Sequence, residues 1–378
     1  MMRDLSRTTI TSLRSHIRKP SSSSKSNVSE RRASFGSSDY RSTTLEPNHI
    51  IVEDRQMDDE RWSRLAFALG MPYGETQRPS SEATKFAQQV RSRKSVSAKE
   101  MTDLLLPLLV SVAKNHRIMK CRTNTLFHRD GVPDEVPDFE VEGGWKMQMP
   151  TPKPTITLGY SSSAFSSHQL ELQHGIISNR HNEPCNLAKL SQPVPDVYWP
   201  FFIVEAQDES MLAARNASAG STATCNNALM IFAGVAEEPQ RYYSDMNFLW
   251  RLSKAAQSFS LSINGKTACL NTHNSEGCLP HAVAVIRTYR LDNDKDVESM
   301  AGRISSILVW AENCRLQSIS DLLSAFDKRV KLCRDNMAQN RVPYDPPELS
   351  NFKNPPRSRA SIIKGVIAES LPRWARAF

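Results

Sequence analysis

The chain has 378 residues and a formal charge of +8, but the basic excess lies at its ends. Residues 1–50 carry nine Lys/Arg against four Asp/Glu and residues 351–378 carry six against one, which leaves the central 300 residues at −2. No run approaches the roughly 20 apolar residues of a membrane-spanning helix, and the seven cysteines are scattered, odd in number and without a C-x-x-C pair, as expected of reduced intracellular thiols.

Residues 1–55 form a Ser-, Thr- and Arg-rich segment with too few large apolar groups to offset ordering entropy, so a disordered basic tail is predicted there. Its opening, with a single acid at Asp4, also has the composition of a mitochondrial transit peptide, although the basic tails favour the nucleus over the mitochondrion. Within it "SERRASFGSS" places Ser34 two residues after Arg31-Arg32, a pattern that basophilic kinases favour. A helical lead-in follows over residues 56–94, with "MDDERWSRLAFAL" and "SEATKFAQQVRSR" as its two helices.

The foldable part is one domain of about 250 residues, placed at 95–335. It opens with "SVSAKEMTDLLLPLLVSVAKNH", where Ser97 and Glu100 have capping-box spacing and Pro107 predicts a kink. Residues 128–154 read as a connector by their Pro, Gly and acidic content. "PTITLGYS" alternates like a strand, "SSHQLELQHGI" like a short polar helix, and "VYWPFFIVEAQ" is an apolar run typical of a strand buried on both faces. A small-residue helix is expected over 217–235, then a hairpin in "FSLSINGKTACLN" about Asn264-Gly265. Val297, Met300, Ala301, Ile304, Leu308 and Ala311 stripe one face of a closing helix. Residues 336–378 form a Pro-rich basic tail, whose Ile362, Ile363, Val366, Ile367 and Leu371 near helical spacing could dock a protein partner or an anionic surface. This order predicts an α/β fold, a small mixed sheet flanked by helices.

In "PFFIVEAQDES" the strand period puts Glu205 and Gln207 on one face. A carboxylate at the end of so apolar a strand needs a partner or must protonate. A metal, a cation such as Arg215 or Lys153, or water at an open cleft would each serve.

Three blocks, "GWKMQMPTPKPTITLGYSSSAFSSHQL", "YWPFFIVEAQ" and "AARNASAGSTATCNNAL", together with "VWAENCRLQSISDLLSAF", resemble the PD-(D/E)XK nuclease-like domain of unknown function found in fungal proteins. The resemblance runs from about residue 95 to 335 and implies a restriction-endonuclease-like core. In that superfamily a first-strand Asp and the Glu of Glu-x-Lys hold a divalent ion, usually Mg²⁺, that activates water against a phosphodiester, while the Lys steadies developing charge. Carried over residue by residue, Glu205 holds the Glu position, Gln207 replaces the Lys, Thr155 stands where relatives carry Asp, and Asn216 falls near a helix Gln. Two of the three defining residues are changed, which predicts impaired catalysis and a binding or scaffold role. The alternatives are an active Mg²⁺-dependent nuclease in which Asp208, Glu209 or Glu171 completes the site, with Glu205 and Asp208 as metal ligands, and an interaction module that works through its tails. Nucleic acid is the ligand class that the resemblance implies.

Other signals are weaker. His168, His174, His181 and Cys185 lack zinc-site spacing, and neither a phosphate loop nor G-x-S-x-G is present. Trp199, Phe201 and Phe202 are expected in the core rather than as a base-stacking platform.

Overall fold

A computed structural model describes residues 34–72, 81–133, 148–178, 183–208, 210–237, 245–274 and 281–338. Seven strands make one mixed sheet. In chain order they are β1 (Ile50–Gln56), β2 (Met119–Thr123), β3 (Ile156–Tyr160), β6 (Tyr198–Ala206), β7 (Ser258–Asn264), β8 (Thr267–Asn274) and β9 (His281–Arg290), and across the sheet they run β1-β9-β8-β7-β6-β3-β2. The pairs β1·β9 and β6·β7 are parallel and the other four are antiparallel. Two three-residue strands, β4 (Ile176–Ser178) and β5 (Pro184–Asn186), pair separately.

Local chemistry sets most boundaries. Helix α1 (Asp59–Leu69) starts where the Asp58 carboxylate accepts from the Arg61 amide, and it stops at Gly70 in the left-handed region. After α2 (Ser81–Arg91), helix α3 (Ala98–Ala113) carries both bonds of the Ser97–Glu100 capping box and continues through Pro107. Helix α4 (Ser167–Leu172) repeats the device with Ser166 and Gln169. The β7–β8 hairpin turns on Gly265 and Lys266, one residue later than expected, with Gly265 at φ 52°.

On one face of the sheet, Phe202, Val204, Phe259, Leu261 and Leu270 share a core with α2, α3 and α8 (Asp294–Trp310), whose predicted apolar stripe is buried throughout. Trp199, Phe201 and Phe202 are buried in that core. The other face is covered by α6 (Met211–Ala236), in which every residue from Ala213 to Ala236 is buried. Such a helix needs a cover of its own, and its small side chains let neighbours approach closely. Short α5 (Leu187–Ser191) supplies part of that cover.

The rest comes from the segment expected to be a disordered tail. From residue 34 that expectation fails. A helical turn at Arg41–Leu45 leads into β1, and Tyr40, Leu45 and Ile50 pack on Ala219 and Ala223 of α6. Burying these apolar groups offsets the ordering entropy that composition alone left unopposed. Residues 1–33 and 339–378, including most of both basic tails, lie outside the described residues.

The start of β6 is bulged. Leu158 pairs with Phe202 but Tyr160 pairs with Tyr198, so β6 spends two extra residues there, and Trp199 takes φ 45°. Gly159 makes room, since a Cβ at that position would lie 2.6 Å from the Tyr198 carbonyl oxygen. Arg315, buried and placed where a π-helical turn (Ala311–Arg315) joins α8 to α9 (Leu316–Ala338), secures the bulge. Its guanidinium donates to the carbonyls of Ala255 (2.9 Å), Trp199 (2.9 Å) and Pro200 (3.4 Å), and it lies over the rings of Tyr160 and Phe201.

Candidate functional site

Glu205 lies near the end of β6, opposite Ser262 of β7. It is 4 % exposed. Ser221, three turns into α6, donates its hydroxyl to Glu205 Oε1 at 2.7 Å, and the backbone amide of Thr155 donates as well. No ion pair reaches this carboxyl among the described residues. Burial therefore dominates and pushes its pKa up to about 8, with the two hydrogen bonds opposing the rise. At neutral pH Glu205 is mainly a neutral acid.

The structure brings Thr155 and Glu205 together. The antiparallel register that sets Ile156 against Val204 puts Thr155 beside Glu205, and the Thr155 hydroxyl accepts from the Ala206 amide at 3.1 Å. The described contacts of the remaining predicted residues are with other partners. Gln207 is half-buried and its backbone amide donates to the Ile263 carbonyl. The Asp208 carboxylate accepts from the Ala98 amide at the start of α3. Glu171 is exposed on α4, and Glu209 and His181 lie outside the described residues. His168 pairs with Asp327, and Cys185 donates to Asp130.

Arg215 and Lys153 do not neutralise Glu205. Lys153 is exposed. Arg215 donates instead to the Asp54 carboxylate and, at 2.6 Å, to the Glu53 carbonyl, both on β1. Arg41 also grips Asp54, with both terminal nitrogens (2.7 and 3.0 Å), while its Nε donates to Asn216 Oδ1 at 2.9 Å. Asn216 completes the clasp by donating to the Phe35 carbonyl at 2.8 Å. Two guanidiniums, Arg41 foremost, hold the Asp54 carboxyl below its ordinary range. The start of α6 is thus occupied by the N-terminal strap.

A cleft of about 370 Å³ opens beside this clasp, lined by Asp54, Gln56, Met211, Arg215, Thr267 and Thr288 among others. Glu205 is not among its lining residues.

A buried polar seam runs from Glu205 along the sheet under α6. Ser218 and Ser262 meet at 2.8 Å, and Asn271 donates to both Ser262 (3.0 Å) and Ser260 (3.1 Å). Ser260 meets His273 Nε2 at 2.7 Å, and Ser258 donates to Asn226 at 2.6 Å. Burial drives the His273 pKa down to about 3, so its ring stays neutral. A serine beside a neutral imidazole has the form of a nucleophile and its base. Here both are buried and, among the described residues, His273 Nδ1 has no hydrogen-bond partner, so these residues give the pair neither access nor an orienting third group. The sequence reading missed this seam, whose signal was the Ser258, Ser260, Ser262 alternation.

Among the described residues no group of three or more His, Cys, Asp or Glu side chains is arranged to hold a metal. A hard cation such as Mg²⁺ needs ionised oxygens at an accessible position. Among the described residues one buried carboxyl with two hydroxyl-bearing neighbours does not supply that set.

Residues 85–323 match the model of the family described as domain of unknown function (DUF7924). The match covers more than half of the chain, so the protein belongs to this family, and the matched segment contains Thr155, Glu205, Asn216, the polar seam and Arg315. No curated protein and no solved structure matches the chain. No described helix is long and apolar enough to cross a membrane.

Proposed function

We propose that the chain is a divergent PD-(D/E)XK nuclease-like protein with a restriction-endonuclease-like core, which has lost phosphodiester cleavage and acts as a binding module. The position of Thr155 supports the first half of this reading. The resemblance assigns it the place of a metal-binding Asp, and it lies against Glu205 on the neighbouring strand. The state of Glu205 supports the second half, and this observation carries the proposal. The carboxyl is buried, mainly protonated at neutral pH and held by Ser221 and Thr155.

Calorimetry with Mg²⁺ and Mn²⁺ on the wild type and Glu205→Ala tests the proposal. The expected result is no heat that depends on Glu205, with no cleavage of DNA or RNA. Metal binding lost in Glu205→Ala, together with cleavage, would instead establish an active metal-dependent phosphodiesterase. Nucleic acid is the ligand class to titrate first, because a phosphate-binding surface gives an affinity that falls steeply with salt.

A further inference from the structure

We propose that Ser34 is a phosphorylation site for an arginine-directed protein kinase, and that the kinase acts only while the N-terminal strap is undocked from α6. The sequence Arg31-Arg32-Ala33-Ser34-Phe35 presents two guanidiniums before the hydroxyl and an aromatic ring directly after it. A kinase that reads this pattern needs acidic subsites for the arginines, an apolar pocket for the ring, and an extended segment that reaches all of them.

The hydroxyl is accessible. Ser34 is exposed, and its Oγ accepts only a long bond of 3.3 Å from the Gly36 amide. The ring is not. Phe35 packs edge-on against Tyr40 with centroids 5.2 Å apart, and its carbonyl is held by Asn216 at 2.8 Å. The backbone also turns at once, with the Ser37 amide donating to the Ser34 carbonyl at 2.9 Å. A segment in a turn, with its ring against its own protein, cannot lie extended in a second protein's groove. Phosphorylation therefore requires the undocked form, and its rate is reduced by the fraction of molecules in that form.

In the transfer, Ser34 Oγ attacks the γ-phosphorus of a nucleoside triphosphate. The new O–P bond forms as the bond to the β,γ-bridging oxygen breaks, the nucleoside diphosphate leaves, and the hydroxyl proton passes to the base of the kinase. The product carries about −1.5 to −2 charges at pH 7 directly before the Phe35 anchor. This inference rests on the strap and its clasp, not on the nuclease reading.

The full chain is incubated with ATP and the catalytic subunit of an arginine-directed kinase, well below saturating substrate, and phosphate is mapped by mass spectrometry. Incorporation at Ser34, absent in Ser34→Ala, is the expected result. Asn216→Ala, which releases the Phe35 carbonyl, should raise the initial rate about fivefold, the factor that follows from losing a hydrogen bond worth about 1 kcal/mol. Arg41→Ala approaches the same clasp from the strap side and should act in the same direction, while a free peptide of residues 29–37 sets the upper limit. Circular dichroism melting confirms that each variant is folded. No phosphate at Ser34 would overturn the site, and equal rates for wild type, both folded variants and the peptide would overturn the gating.

Discussion

Ser221 donates its hydroxyl to Glu205 over 2.7 Å from a helix whose residues are buried from Ala213 onward. Neither partner carries a formal charge in the state favoured at neutral pH. The carboxyl keeps its proton because ionising it there would strand a charge away from water.

That protonation makes stability depend on pH in a definite direction. An unfolded Glu ionises near 4.5 and the folded Glu205 near 8, so its contribution is fully present below pH 4.5 and is lost as pH rises toward 8. His273 works in the opposite sense, because an unfolded ring protonates near 6.5 and the folded one near 3, so stability is lost as pH falls through that window. Each slope is about 1.4 kcal/mol per pH unit, and between pH 4.5 and 6.5 they oppose one another. In urea titrations, Glu205→Gln should become more stable with rising pH over that interval, whereas His273→Gln should become less stable up to pH 8. Unchanged slopes in both variants would mean that neither group is held in the stated form.

On the function proposed above, the register between Thr155 and Glu205 predicts that a metal site can be built there. Thr155→Asp combined with Gln207→Lys places a second carboxyl beside Glu205 and a cation just past the end of the same strand. The double variant should bind Mn²⁺ and release protons as it does, since the carboxyls must ionise to become ligands. Calorimetry in buffers of different ionisation enthalpy reads both effects. A folded double variant without Mn²⁺ affinity would count against the metal-side role of position 155.

Arg315 is a buried cation satisfied by three carbonyls and two aromatic rings, with no carboxylate among these contacts. Arg315→Met keeps much of the side-chain volume but leaves those carbonyls without their donors. A loss of about 3 kcal/mol or more is expected in denaturant unfolding, the usual scale for orphaned buried polar groups. Arg315→Lys should recover only part of it, because an ammonium cannot reproduce the planar fork.

Gly159→Ala should cost about 1–3 kcal/mol, the range for overpacking in a rigid site. The added methyl would meet backbone at 2.6 Å and the Val197 side chain at 2.8 Å, and neither can move without disturbing the bulge. Gly265→Ala has open space around it, so its cost should come from the positive φ alone and be smaller. Thermal melts of the two variants separate the causes.

Much of the fold was legible because its signals are local. Ser97 with Glu100 and Ser166 with Gln169 cap helices, and the run into Glu205 has the composition of a central strand. The sequence analysis did not anticipate β1, whose one partner, β9, lies more than 200 residues further along the chain, or β9, which β1 joins on its outer side. "IIVEDRQ" is a charged edge strand without the apolar weight of a core element, and "HAVAVIRTYR" alternates clearly but has β1 on one side. At the site, the sequence required a partner for Glu205 but suggested a cation. The alternating serines of β7 would ordinarily mean a solvent face, and only the burial of α6 against them makes them interior. Asn216, which the resemblance sets near a helix Gln, is engaged in the structure by Arg41 and the Phe35 carbonyl, partners that the composition of the N-terminal segment did not announce.

The pairing of Ile50 with His281 also bears on how the chain is made. A ribosome adding about 5–20 residues per second emits β1 and then needs roughly 10–50 s more before β9 exists to receive it. Throughout that interval the strap has no sheet edge to join. Any factor that attends this nascent chain meets Phe35, Tyr40, Leu45 and Ile50 early, because α6 and β9, against which they pack, are both synthesised later.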